Sequence, residues 1–323
     1  MNTKRLTLLT LIALATSATL GAVQAQQSLL PAWAYPWAPE IPLPPDDGVA
    51  RRVPDSKAAF SLTQINDLFG VVVWHPTDHP APPGVVAAGR KPDLLACGSC
   101  HRSDGAGGPE NASLAGLPAA YIEQQLRDYK SGARKFSGPA RGPSVLMIAT
   151  AKAMTNEDIR VAADYFSSLK LKPAYAVIEA ATVPKTFVNR TYISRSLGNE
   201  TEAIGQRIVE IAVDEAQFKH RDPRAKFVAY VAPGSLAKGE ALVKTGGAGA
   251  TVACSICHGA DLKGVGPIPG IAGRSPSYIV RQLQDMQQGT RAGAMSALMK
   301  PTVEKLTNAE MNAIAAYLAT QQP

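Results

Sequence analysis

The chain has 323 residues, 46% of them apolar and 18% charged, with 27 glycines and 25 prolines. This composition excludes a disordered chain and suits several small units joined by turns better than one large sheet. The formal net charge is +7, and no Lys/Arg cluster is dense enough for nucleic-acid wrapping, so docking to acidic protein surfaces is the better fit.

Met1 to Arg5 contains Lys4 and Arg5, Leu6 to Leu20 is mostly apolar and small, and Val23-Gln24-Ala25 ends in small residues. That order predicts a signal peptide over 1–25, cleaved after Ala25, and a mature chain exported to an oxidising space such as a bacterial periplasm. No later stretch is apolar for long enough to cross a bilayer. Residues 26–83 are rich in proline and hold Trp33, Trp37 and Trp74. They read as an extended, wrapped arm with a short helix near Leu62 to Phe69.

Residues 84–171 and 233–323 each carry one C-x-x-C-H motif: Cys97-Gly98-Ser99-Cys100-His101 and Cys254-Ser255-Ile256-Cys257-His258. These motifs use all 4 cysteines. On a short helix, thiols at i and i+3 share one face and can both bond one haem, and the adjacent imidazole can then bind its iron. Structural disulfides, a zinc site or a thioredoxin-like pair would leave both histidines unexplained. The motifs therefore predict two covalently bound haem c groups, with His101 and His258 as iron ligands.

The two units are copies of one another. An offset of 157 aligns Cys97 with Cys254, Gly116 with Gly273, Tyr121 with Tyr278, Asp128 with Asp285, Gly132 with Gly289 and Arg134 with Arg291. Beyond Arg134 the offset becomes 152, pairing Thr155 with Thr307 and Tyr165 with Tyr317, so the first copy holds five extra residues. In that register Met147 matches Met299, whereas Met154 falls opposite Leu306 and Met295 opposite Pro143. A sixth iron ligand used alike in both halves is then Met147 and Met299. A neutral thioether favours ferrous iron and raises the potential relative to a second histidine.

Helical spacing of Ile122, Leu126 and Tyr129, and of Ile279, Leu283 and Met286, predicts helices that stop near Gly132 and Gly289. Thr155 and Thr307 read as N-caps of final helices, each with an acid at the third helical position, the second forming a full capping box. Between the copies, residues 172–232 hold β-favouring runs at Tyr175 to Ile178, Thr191 to Ser194, Arg207 to Ala212 and Phe227 to Val231, which predict a small β-rich connector. His75 and His79 are flanked by Pro76 and Pro80, which oppose the helix that would put them on one face. They and His220 are expected in structural or surface roles.

The ensemble resembles class I c-type cytochromes, specifically the bacterial periplasmic diheme kind. The likeness rests on C-x-x-C-H, Leu114-Ala115-Gly116 or Ile271-Ala272-Gly273, the Tyr-bearing helix, the Gly-x-Arg exit and a Met eight residues before the Thr cap. It implies a mainly α fold of two tandem cytochrome c domains, His/Met-ligated iron in each, and single-electron transfer between periplasmic donor and acceptor proteins, with no catalytic residue. In such cytochromes a proline carbonyl accepts the proximal histidine's proton. Pro269 stands at that place in the second copy, and Ala112 in the first. The alternatives are a haem subunit fixed to a periplasmic dehydrogenase or terminal oxidase, and a diheme enzyme such as a peroxidase or sulfur-compound dehydrogenase.

Overall fold

A computed structural model describes residues 30–323, and the signal peptide expected over 1–25 lies outside the described residues. From Trp33 to Pro323 the chain forms one contact unit. Among the described residues no helix is long and apolar enough to cross a membrane.

The fold is mainly helical. In the first copy a short helix that carries the C-x-x-C-H motif, Cys97–His101, precedes the tyrosine helix Ala119–Ser131, the methionine helix Gly142–Ala153 and the final helix Asn156–Ser168. Their core gathers Ile122, Leu126, Ile159, Ala163 and Phe166, all under 8% exposed, on the stripes predicted by helical spacing. The second copy repeats the order with Ser255–His258, Pro276–Gln287, a 3₁₀ turn at Ala294–Met299 and Asn308–Thr320. It also opens with a helix, Ser235–Thr245, that packs on its last one, whereas the first copy opens with only the single turn Gly84–Ala87.

The tyrosine helix of the first copy ends at Gly132 in the left-handed conformation, as the stop signal predicts. Both final helices begin with reciprocal caps. Thr307 and Glu310 form the expected box, and Thr155 and Asp158 form one too, which corrects the expectation that only the second would be complete. The shorter aspartate reaches because its Oδ2 accepts from both the backbone and the hydroxyl of Thr155, at 2.8 and 2.7 Å.

The connector is built on a three-stranded sheet in which Tyr175–Glu179 pairs parallel to Phe227–Val231, itself antiparallel to Val209–Ala212. Thr186–Asn189 and Tyr192–Arg195 form a hairpin, and Thr182–Pro184 pairs with Thr201–Ala203. The sheet buries Val209, Ile211, Phe227 and Ala229. It is tied to the second copy by Glu210, a buried carboxylate that accepts from Ser275 Oγ (2.9 Å) and Ser277 N (3.0 Å). That places an anion on the orphan amides of the Pro276–Gln287 helix, where the macrodipole favours it. Burial raises the Glu210 pKa above the ordinary carboxylate value.

The arm contains the short helix Leu62–Asn66, capped by Ser61 and Gln64 and three residues shorter than expected, because Asp67 leaves the helical region. The arm lies against the first copy: Ala96 N donates to Leu68 O and Gly89 N to Phe69 O, each at 2.9 Å. Trp74 is 1% exposed and donates from its indole to the backbone of His220 at 2.8 Å. His75 is buried against Asp222 at 3.0 Å, and His79 Nδ1 bonds Pro80 O at 2.8 Å. His75 thus ties the arm to the connector, and His79 meets Tyr165 Oη of the first copy at 3.3 Å.

Candidate haem-binding sites

Both C-x-x-C-H motifs fall on short helices, so their two thiols share a face and all four cysteines are free of disulfides. Burial pushes the Cys97 thiol up to about 12 and the Cys254 thiol up to about 11, so both are protonated sulfurs in the bare chain. His101 Nδ1 lies 2.8 Å from Ala112 O, and His258 Nδ1 lies 2.7 Å from Pro269 O. A carbonyl can only accept, so Nδ1 carries the proton in each ring and Nε2 keeps its lone pair. Burial also lowers both histidine pKa values, which favours the neutral imidazole that binds metal. The alanine in place of proline in the first copy does not disturb this bond, since the carbonyl belongs to the backbone.

A glycine packs against each of the turns that present these carbonyls. Gly107 has φ +66°, and a Cβ there would stand 2.4 Å from Ala112 O; Gly264 has φ +96°, and a Cβ would stand 2.5 Å from Ile268 O. The two glycines share the 157 offset. That match was the signal available for them in the sequence.

One cavity of about 510 Å³ is lined by both sets: Cys97, Cys100 and His101, and Cys254, Cys257 and His258. Its size is that of cofactor pockets, ~300–1,000 Å³. Met147 and Met299 also line it, but so do Met154 and Met295. Met154 is 2% exposed within the first core, and Met295 is 45% exposed. The duplicated register distinguishes Met147 and Met299 from these neighbours; the cavity wall alone does not. The walls are otherwise largely apolar, with Leu126, Phe166, Leu283 and Leu318 among them. Thiol pairs, imidazoles with a free nitrogen and an apolar shell fit a covalently held haem at each motif.

The cavity also runs along the junction of the two copies, where residues matched by the repeat meet across it. Arg134 donates to Tyr278 Oη (3.2 Å) and Gln282 Oε1 (2.7 Å), while Arg291 donates to Tyr121 Oη and Gln125 Oε1, both at 2.8 Å. Arg134 and Arg291 also form an antiparallel bridge. Burial alone would raise the Tyr121 pKa, but Arg291 and Arg134 outweigh it and pull it down. The sequence shows these residues as repeated, not as partners of one another.

The cytochrome c family matches this chain twice, over residues 86–170 and 236–322. The chain belongs to the cytochrome c family. It is a diheme class I cytochrome c that carries electrons through two covalently bound haem c groups. A protein of Thiomonas intermedia (strain K12) named "Thiosulfate dehydrogenase electron acceptor" is 27% identical over 239 residues, 72% of this chain and 82% of its own length. Cytochrome c4 of Pseudomonas aeruginosa is 24% identical over 240 residues, 73% of this chain and 88% of its own. Among solved structures, cytochrome c4 of Acidithiobacillus ferrooxidans covers 69% of this chain and 97% of its own, at 24% identity and a TM-score of 0.46. The arm and the connector of this diheme cytochrome lie outside both matched stretches.

Proposed function

We infer that this diheme cytochrome is exported to the periplasm and accepts single electrons from a dehydrogenase that oxidises a reduced sulfur compound, passing them on to a further acceptor and performing no substrate chemistry itself. The sulfur-compound donor is suggested by the name of the Thiomonas relative. In this reading Cys97 and Cys100, and Cys254 and Cys257, hold the two haems as thioethers. His101 and Met147 close one iron, and His258 and Met299 the other. When bound, the haems supply the one-electron iron couples. The chain's own residues would fix the imidazoles and surround the haems with largely apolar walls, and Met147 and Met299, if bound, would leave neither iron open to substrate.

The observation that carries this reading is the single cavity reached by both thiol–imidazole sets. Redox titration of the holoprotein tests the ligands: Met147→His and Met299→His should each lower one midpoint potential and leave the other in place. Rapid mixing tests the donor. Thiosulfate alone should leave the haems oxidised, and thiosulfate with a catalytic amount of its dehydrogenase should reduce them. Reduction by thiosulfate alone, or a high-spin ferric haem in the unmodified protein, would overturn the carrier reading in favour of an enzyme.

A further inference from the structure

The junction cavity is lined by two buried cations that carboxylates influence at a distance but that none pairs with directly. Arg141 is 2% exposed and Arg281 is 5% exposed, and both line the cavity. Arg141 donates to Pro36 O (3.1 Å) and Thr191 O (3.2 Å), and Arg281 donates to Ala34 O (2.9 Å) and Pro109 O (2.5 Å). Every one of these acceptors is a backbone carbonyl, and among the described residues neither guanidinium has an ion-pair partner. A buried charge without a counter-ion is costly, so such a pair marks a place that an anion completes.

The arm brings a third donor to the same corner. Tyr35 is 6% exposed, lines the cavity, and its hydroxyl is buried without a hydrogen-bond partner. Its ring is seated by a close approach: a Cβ on Gly138 would stand 2.3 Å from Tyr35 Cδ1. Trp37 is held the same way, 2.8 Å from a Cβ on Gly142. Gly138 and Gly142 lie in the part of the first copy where its extra residues fall, so the insertion forms the seat of the arm. Arg281 aligns with Gln124, and Arg141 lies in the stretch that holds the extra residues, with no arginine in the corresponding stretch 292–299, so this corner does not recur in the other copy. The acids that act on these guanidiniums are Asp285, which already accepts from Ser137 N at 2.8 Å, Glu210, which is held by Ser275 and Ser277, and Glu110, which faces Arg102 at 3.8 Å and keeps its Oε2 buried without a partner.

We propose that Tyr35, with Arg141 and Arg281, forms a carboxylate-binding corner that receives a propionate of one haem, so that the N-terminal arm, outside the family's own fold, helps set that haem's potential. The proposal rests on haem attachment at the two C-x-x-C-H motifs, which supplies the carboxylates. A hydroxyl donated to a propionate disperses its negative charge. Losing that bond leaves more charge beside the iron, stabilises the ferric state and lowers the potential.

The test uses the holoprotein and Tyr35→Phe, which keeps the ring and removes only the hydroxyl. Haem content by pyridine haemochrome checks attachment first: two haems in both proteins leave the underlying reading intact, and none in the unmodified protein sinks that reading by itself. Resonance Raman spectroscopy then reads the propionate bending mode, and spectroelectrochemistry reads both potentials. The expected result is a shifted bending mode and a lower midpoint potential at one haem, with the other unchanged. Gly138→Ala, which displaces the ring, should move the same haem in the same direction. If Tyr35→Phe and Gly138→Ala both retain the unmodified bending mode and both potentials, the hydroxyl touches no propionate and the proposal is wrong, whatever the variants do to thermal stability.

Discussion

Each C-x-x-C-H histidine bonds a backbone carbonyl, and each carbonyl lies in a turn that a glycine without a side chain leaves room for. Gly107→Ala would put a methyl 2.4 Å from Ala112 O at a φ of +66°. Left-handed backbone alone costs ~1–2 kcal/mol for a residue with a Cβ, and the clash adds to it. The expected outcome is a lower thermal midpoint and, where holoprotein accumulates, a change in the potential of the first haem only; Gly264→Ala should do the same at the second. Charge is tuned one residue at a time as well. Arg90 holds the Asp158 carboxyl well below the usual carboxylate range, and Arg224 and Lys172 do the same for Asp78. A depressed folded pKa contributes stability that is complete above the unfolded value and is lost as pH falls through the folded one. Stability should therefore decline on acidification below about pH 4. Buried Glu210 and Asp285, whose pKa values are raised, act in the opposite sense. Denaturant titrations across that range should show a shallower acid loss for Asp158→Asn, together with a penalty at neutral pH of ~1 kcal/mol from the broken cap.

Between elements, the repeat becomes an interface. Arg134 and Arg291 each reach the other copy's tyrosine helix, and they share acceptors: Gln125 takes bonds from both, as does Gln282. Removing either arginine strands a tyrosine hydroxyl and half-satisfies both amides. Arg134→Gln and Arg291→Gln should each cost ~1–3 kcal/mol. Together they should fall short of the sum by more than ~0.5 kcal/mol, since they act on one network. Denaturation of the two single variants and the double variant measures that coupling, and additive losses would show that the copies are not joined through these side chains. The same residues mark how far the sequence could be read. The helices follow from the spacing of Ile122, Leu126, Ile279 and Leu283, because burial on one face imposes a period. The partner of Arg134 does not follow, because a repeat reports equivalence and not contact. In the connector, Tyr175–Glu179 and Phe227–Val231 are legible as β-branched and aromatic runs. Thr182–Pro184 and Thr201–Ala203 are short, mostly exposed and in one case proline-ended, so local preference carries little signal there. Tyr35 and its corner are invisible for a third reason: an arm has no period, and only the fold shows where it lands.

For the whole molecule, the two copies of one unit are not equally accessible. Ser99 and Ile256 occupy the same place within C-x-x-C, yet Ser99 is 3% exposed and Ile256 is 73% exposed. The first motif helix is covered by the arm, whose Val71 would meet a Cβ on Gly98 at 3.0 Å, and by the connector, whose Arg221 donates to Ser99 O. Among the described residues the second is left more open: Cys257 beside Ile256 is exposed, with Val265 exposed as well. Electron transfer between proteins requires close approach of cofactor edges, and among the described residues the motif helix of the second copy is the more open of the two to such a partner. Apolar contact at the centre of such an encounter, within a surface of net positive charge, suits an acidic partner with an apolar patch around its own cofactor. Ile256→Asp should therefore slow bimolecular reduction by the dehydrogenase by about tenfold, ~1.4 kcal/mol, without altering the haem spectrum or either potential. Phe187→Asp, an equal insertion of charge at a 45% exposed site on the connector hairpin, should leave that rate unchanged. Stopped-flow rates over a salt series separate the outcomes. A rate that falls with ionic strength and is sensitive only at Ile256 places the electron port on the second copy, whereas sensitivity only at Phe187 moves it to the connector and leaves the bare helix without a role in docking.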